Sequence, residues 1–146
     1  MLCECCTRVR VNVHCSKYPL ATSTAAQSRH LADVLFLLRD YENALYNYKM
    51  CTTDFKTDRS GVHYAAALEM GALCHYIIGR QTTSGSAWKE AEGDMNRAVE
   101  QYIKAGELKY AARASCFLAL MCRSRRGYGD VSNVFIRLAE NVRPLL

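Results

Sequence analysis

The sequence predicts an all-α fold: about six helices, paired as antiparallel hairpins and stacked into a solenoid. Three observations carry that expectation. From 31 to 51, apolar residues recur at helical spacing, and Phe36-Leu37 breaks any strict alternation of the kind a strand needs. The helical period then returns in six consecutive segments. Small residues fall where paired helices would approach closely, at Ala32, Ala44 and Cys51, and the chain contains only 2 Pro.

Residues 1–28 stand apart. They show no helical period, hold four of the eight Cys and end in a Ser/Thr/Ala-rich stretch. RVRVNV alternates as a short strand does, but no other segment offers it a partner. This part is expected to be a poorly ordered N-terminal segment, with a helical repeat domain over 29–146 that is a fragment of a longer solenoid.

In the first helix Leu31, Val34, Leu35 and Leu38 form one apolar face, read here as the core face. Tyr41, Ala44, Leu45, Tyr48 and Cys51 continue the spacing in the second, and Phe55 adds a turn. TTDFKTDRSG reads as a polar connector. A third helix over about 62–78 presents Ala66, Met70, Leu73, Cys74 and Ile77. GRQTTSGS reads as a loop, with Ser86 the N-cap of the fourth helix. That helix is the most regular, with Trp88, Ala91, Met95, Ala98, Val99 and Tyr102 on one side and Gly106 at its end. The fifth, over about 108–123, carries Ala111, Ala112, Ser115, Leu118, Ala119 and Cys122. RRGYGD turns the chain into a sixth, over about 131–142, with Val134, Phe135, Leu138 and Ala139.

Laid against a tetratricopeptide (TPR) repeat, Leu31-Ala32, Leu35, Asp40-Tyr41, Ala44, Tyr48 and Cys51 coincide with its signature positions. Met70-Gly71, Cys74, Ala91, Met95 and Ala98 repeat the set, as do Leu118-Ala119, Cys122, Tyr128, Val131, Phe135 and Leu138. Successive first helices are 39 and 48 residues apart, above the ~34 of a standard repeat, so the array is TPR-like with insertions.

Composition narrows the function classes. Half the residues are hydrophobic and 23% are charged, enough to bury a core. The net charge of +5 owes much to Arg8, Arg10, Lys17 and Arg29, and does not concentrate into the basic face that nucleic acid requires. No apolar run approaches the ~20 residues of a membrane span, and the N-terminus lacks the apolar core of a secretory signal. The expected setting is therefore cytoplasmic, with the eight Cys as thiols.

The run RHLADVLFLLRDYENALYNYKMCTTDFKTDR is followed by Leu68-Glu69-Met70-Gly71, WKEAEGDMNRAVEQYIKAG and AARASCFLALMCRSRRGYGDVSNVFIRLAE. In that order these motifs resemble the helical-repeat region of the large TRAPP III-specific subunit family, subunit 8 of the trafficking protein particle complex. The resemblance covers roughly 29–140 and leaves 1–28 outside. Members of that family are far longer, so it implies a fragment of a scaffold subunit. It implies a non-enzymatic role in a vesicle-tethering complex for ER-to-Golgi transport and autophagy, peripheral at Golgi or ER–Golgi membranes. The implied partners are other subunits of that complex, with an indirect link to a Rab GTPase through smaller subunits. No exchange-factor residue and no cofactor carries over.

The remaining motifs each have a plain reading. Cys3, Cys6, His14 and Cys15 have the types for zinc, but adjacent ligands and an intervening alternating run spoil the geometry. Clustered Cys beside Arg8, Arg10 and Lys17 would suit S-palmitoylation, yet Leu2 stands where myristoylation needs Gly. Cys51, Cys74 and Cys122 sit at packing positions, and Cys74-His75 adjacency on a helix points the side chains apart. GRQTTSGS lacks P-loop spacing. Interaction candidates are Tyr46 and Asn47, outward on the second helix; the basic run Arg123, Arg125 and Arg126; and Ile136 on the sixth. The alternative to the scaffold is an independent TPR adaptor that takes a peptide in its concave groove.

Overall fold

The structure, a computed structural model, describes residues 23–82, 85–126 and 129–143, with the backbone alone at 125, 126, 129 and 130. Six helices make up the described residues: α1 (Thr24–Leu37), α2 (Tyr41–Thr57), α3 (Gly61–Thr82), α4 (Gly85–Lys104), α5 (Leu108–Arg126) and α6 (Gly129–Val142). Each packs chiefly against its neighbours in sequence, and successive helices run antiparallel. The pairing shows in residue contacts: Ala25 meets Cys51, Phe36 meets Tyr41, Phe55 meets His63 and Tyr76 meets Trp88. The result is a stack of helical hairpins.

Three chain reversals are built alike. At Leu38-Arg39-Asp40 the Arg39 N–H donates to Phe36 O and the Asp40 N–H to Leu35 O, both at 3.0 Å. Arg59 and Ser60 repeat this onto Lys56 and Phe55, and Gly106 and Glu107 onto Ile103 and Tyr102. This is the Schellman pattern, which places its C′ residue at positive φ. The angles are 64° at Arg39, 54° at Arg59 and 78° at Gly106. The next residue then opens the following helix: Asp40 Oδ1 accepts from Asn43 N, and the carbonyls of Ser60 and Glu107 accept from Tyr64 N and Ala111 N. One residue thus closes one helix and starts another.

Helix boundaries differ from expectation in several places, and the expected RRGYGD turn narrows as α5 runs to Arg126 and α6 starts at Gly129. α1 begins at Thr24 rather than Arg29, because Ser23 caps it and Ala25 is buried against Cys51. α2 continues to Thr57, so the connector shrinks from TTDFKTDRSG to Asp58–Ser60. The Thr52, Thr53 and Thr57 hydroxyls return to main-chain carbonyls of their own helix, which lets threonines stay helical. α3 runs through Gly79 to Thr82 and α4 starts at Gly85, so most of GRQTTSGS is helix and Ser86 is not an N-cap. The expectation for residues 1–22, including the cysteine cluster, lies outside the described residues.

The core falls into three clusters rich in small residues. Ala65, Ala72, Ala98, Ala111 and Ala114 are fully buried where α3, α4 and α5 meet, with Met95, Tyr102, Leu118 and Met121 filling between them. Ala32, Ala44, Tyr48 and Cys74 join α1, α2 and α3, and Cys51, Phe55 and Ala67 form an adjoining cluster. Cys51, Cys74 and Cys122 are buried thiols, as their positions foretold.

The face assigned to α1 is a correction. Leu31 and Val34 are 52% exposed and Leu38 is 71% exposed, while Ala25 and Ala32 are buried. A large leucine cannot occupy the point of closest approach, so alanines take the interface and the leucines turn outward; only Leu35 stays half-buried against the core. On α5, Ala112 likewise faces solvent, although Ala111, Ser115, Leu118 and Cys122 are buried.

Candidate functional site

Alternate helices come side by side. α3 reaches α1 through the shared clusters of Ala67 with Ala25 and of Cys74 with Ala32. It reaches α5 through Glu69–Arg113 and Tyr76–Ser124. On the other side, Lys49 of α2 lies 3.7 Å from Glu90 of α4. The stack therefore has an odd layer (α1, α3, α5) and, opposite it, an even layer that includes α2 and α4.

Two tyrosines thread from the even layer to acids of the odd layer. Tyr48 on α2 donates its hydroxyl to Asp33 Oδ1 at 2.6 Å, and Arg29 both pairs with that carboxylate at 2.9 Å and stacks over the tyrosine ring. Tyr102 on α4 donates to Glu69 Oε2 at 2.8 Å, while Arg113 grips the same carboxylate through Nε and Nη2 at 3.0 and 2.6 Å. Arg113 also lies over the Tyr110 ring. Burial and these carboxylate acceptors push both phenols up. The hydrogen bonds that Arg113 donates to Glu69 likewise raise the arginine. Glu69 is 2% exposed and carries three charge-assisted or hydroxyl hydrogen bonds, so its burial is fully compensated. None of Arg29, Asp33, Glu69, Tyr102 and Arg113 stands out in the sequence as part of such a group.

Between α2 and α4 lies a cleft of about 150 Å³, floored by Leu68 and Gly71 and edged by Lys49, Thr52, Asp94 and Arg97. Its charges pair off, Lys49 with Glu90 and Arg97 with Asp94. Beneath it His75 is buried, its Nε2 3.1 Å from Glu90 Oε2 and 4.0 Å from Asp94 Oδ2, without hydrogen-bond alignment. Burial lowers its pKa first, with Lys49 adding to the effect and the two acids opposing it. Burial also pushes the Cys51 thiol up to about 11 and Cys74 to about 12, so both stay protonated and unreactive at neutral pH. Among the described residues no cluster of His, Cys, Asp or Glu has the makings of a metal site.

The interaction candidates fall on different elements. Tyr46 is 64% exposed on α2; Asn47 beside it is half-buried, and its Nδ2 donates to Asn43 O at 2.8 Å. Arg123 is exposed near the end of α5, and the side chains of Arg125 and Arg126 lie outside the described residues. Ile136 is 53% exposed on α6, next to Phe135 at 43%. No described helix is long and apolar enough to cross a membrane.

A hairpin stack of this kind, joined by buried polar threads, is the architecture of a helical-repeat protein. Residues 11–126 match the family described as the ER-Golgi trafficking TRAPP I complex 85 kDa subunit, and the chain belongs to that family. The match starts well before Arg29, within the segment expected to stand outside. The chain is also 30% identical over 100 residues to transport protein particle subunit trs85-2 of Schizosaccharomyces pombe. That alignment takes in 67% of this chain but 16% of the yeast protein. No solved structure matches.

Proposed function

We propose that this chain is a non-catalytic scaffold portion of a vesicle-tethering complex acting between the endoplasmic reticulum and the Golgi. The observation that carries the reading is the membership of a trafficking-complex subunit family, held by a stack whose described ends both expose apolar side chains. At one end are Leu31, Val34 and Leu38 of α1, at the other Phe135 and Ile136 of α6. Solenoid repeats cannot bury such faces alone and use neighbouring helices to do so. The longer yeast relative, of which this chain covers 16%, has further chain to supply them. TPR-type pairing of the helices, with Tyr48 and Cys51 at repeat packing positions, supports the same reading.

The finer assignment follows the sequence resemblance: a TRAPP III-type large subunit, with a part in autophagy, an indirect link to a Rab GTPase and peripheral residence at Golgi or ER–Golgi membranes. Affinity purification of the tagged chain from cells, followed by mass spectrometry, tests it. Recovery of several subunits of one tethering complex is expected. A preparation free of every such subunit would overturn the proposal.

A further inference from the structure

We propose that the outward stripe of α1 is the seat of this chain's own residues 11–22, which stand just ahead of that helix in the sequence. The inference rests on α1 and on the extent of the family match, independently of the tethering role.

The stripe has the wrong chemistry for a face in water. Leu31, Val34 and Leu38 recur at i, i+3 and i+7, on the side of α1 opposite the buried Ala25 and Ala32, and all three are exposed. A solvated helix face ordinarily carries polar and charged side chains. The charges of α1 are spent elsewhere: Arg29 and Asp33 pair with each other at 2.9 Å and close around Tyr48.

The family match and the reach of the chain choose the occupant. The match begins at residue 11, so the residues ahead of Ser23 belong to the same matched unit as α1. Their sequence, VNVHCSKYPLAT, holds Val11, Val13, Tyr18 and Leu20 with Lys17 as its one formal charge, which suits an uncharged apolar stripe. From the Ser23 cap, Leu31 and Val34 lie about 12 and 17 Å along the helix axis. A segment of this length spans about 18 Å at helical rise and about 40 Å when extended, so both side chains are within reach either way. A second copy of the chain suits the stripe less. Stable association between separate molecules buries roughly 1,200–2,000 Å², far more than three side chains offer. A tethered segment needs no such area, because its effective concentration is on the order of millimolar.

The test is hydrogen exchange of the whole chain read by mass spectrometry, at two protein concentrations about a hundredfold apart. The amides of 11–22 should exchange at least about tenfold more slowly than in a synthetic peptide of that sequence, and equally at both concentrations. Leu31→Gln combined with Val34→Gln keeps helix formers at exposed positions. That variant should abolish the protection of 11–22 while exchange in α3 and α4 stays as it was. Tyr18→Ser combined with Leu20→Ser, made from the other side of the contact, should do the same, and Ile136→Gln on α6 should leave the protection intact. Exchange of 11–22 at the peptide rate, protection that grows with concentration, or protection indifferent to either double change would each overturn the assignment.

Discussion

Tyr48 and Tyr102 show how single side chains tie the two layers together. Each is essentially fully buried along its ring, yet delivers its hydroxyl to a carboxylate on another helix. That double character, an apolar body with a polar tip, is what tyrosine supplies and phenylalanine lacks. The ring positions are legible in the sequence, because Tyr48 and Tyr102 fall on the buried period. Their acid partners are not. Asp33 and Tyr48 are fifteen residues apart, and Glu69 and Tyr102 thirty-three, distances over which no local spacing rule operates.

His75 carries a testable pH dependence at the same scale. Its folded pKa lies below the ordinary 6.5, since burial outweighs the attraction of the half-exposed Glu90. The unfolded chain therefore binds more protons than the folded one as pH falls below about 6.5, and stability drops with it. His63 is lowered for the same first reason and acts in the same direction. Thermal unfolding from pH 7.5 to pH 5 should show a falling melting temperature. His75→Gln should flatten that slope, by up to about 1.4 kcal/mol per pH unit, the limit for one titrating group. An unchanged slope would mean that His75 is accessible to protons in the folded state.

Among the elements, the turns and α1 mark what the sequence concealed. Gly106 announces its turn, because glycine is the usual residue at positive φ. Arg39 and Arg59 adopt the same conformation with a Cβ, and arginine carries no such signal, so one reversal reads as a plain tight turn and the other as a long connector. The face of α1 is hidden for a related reason. Its leucines keep helical spacing as well as its alanines do, and periodicity alone does not say which stripe meets α2. Contact distance decides in favour of Ala25 and Ala32. α4 is easier to read, because Trp88, Ala91, Met95, Ala98 and Tyr102 offer one stripe and no competitor, whereas on α3 the expected stripe of Ala66, Met70, Leu73 and Ile77 is only half-buried and Ala65, Leu68 and Ala72 take the core.

Ala44 tests that logic. It is fully buried between α1, α2 and α3, so Ala44→Glu must both overpack the contact and bury a charge. A loss of about 3 kcal/mol or more is expected. Asn43 next to it is exposed and stands three residues after the Asp40 cap, where a glutamate completes a capping box. Asn43→Glu should leave the melting temperature nearly unchanged, and equal losses in both variants would show the packing face to be assigned wrongly.

For the whole molecule, the two described ends matter more than any pocket. The exposed α1 leucines and the Phe135-Ile136 pair leave unsatisfied apolar surface of the kind that marks an association site. Sedimentation velocity of the purified chain should therefore show concentration-dependent association, reduced by Ile136→Glu. A monomer at all concentrations, indifferent to that change, would count against these ends as joints.

Because each helix packs chiefly on its neighbours in the chain, most contacts between helices join elements adjacent in sequence. Folding of such a stack pays little for loop closure and belongs with the fast helical proteins. The longest helices, α3 and α4, share the deepest cluster, while α1 and α6 each lean on one side only. Order should therefore spread outward from the α3–α4 hairpin and be lost inward from the ends, in the manner of a zipper. A partner that covers an end would then slow the opening of the entire array, and so lengthen the lifetime of the folded chain through a contact at its margin.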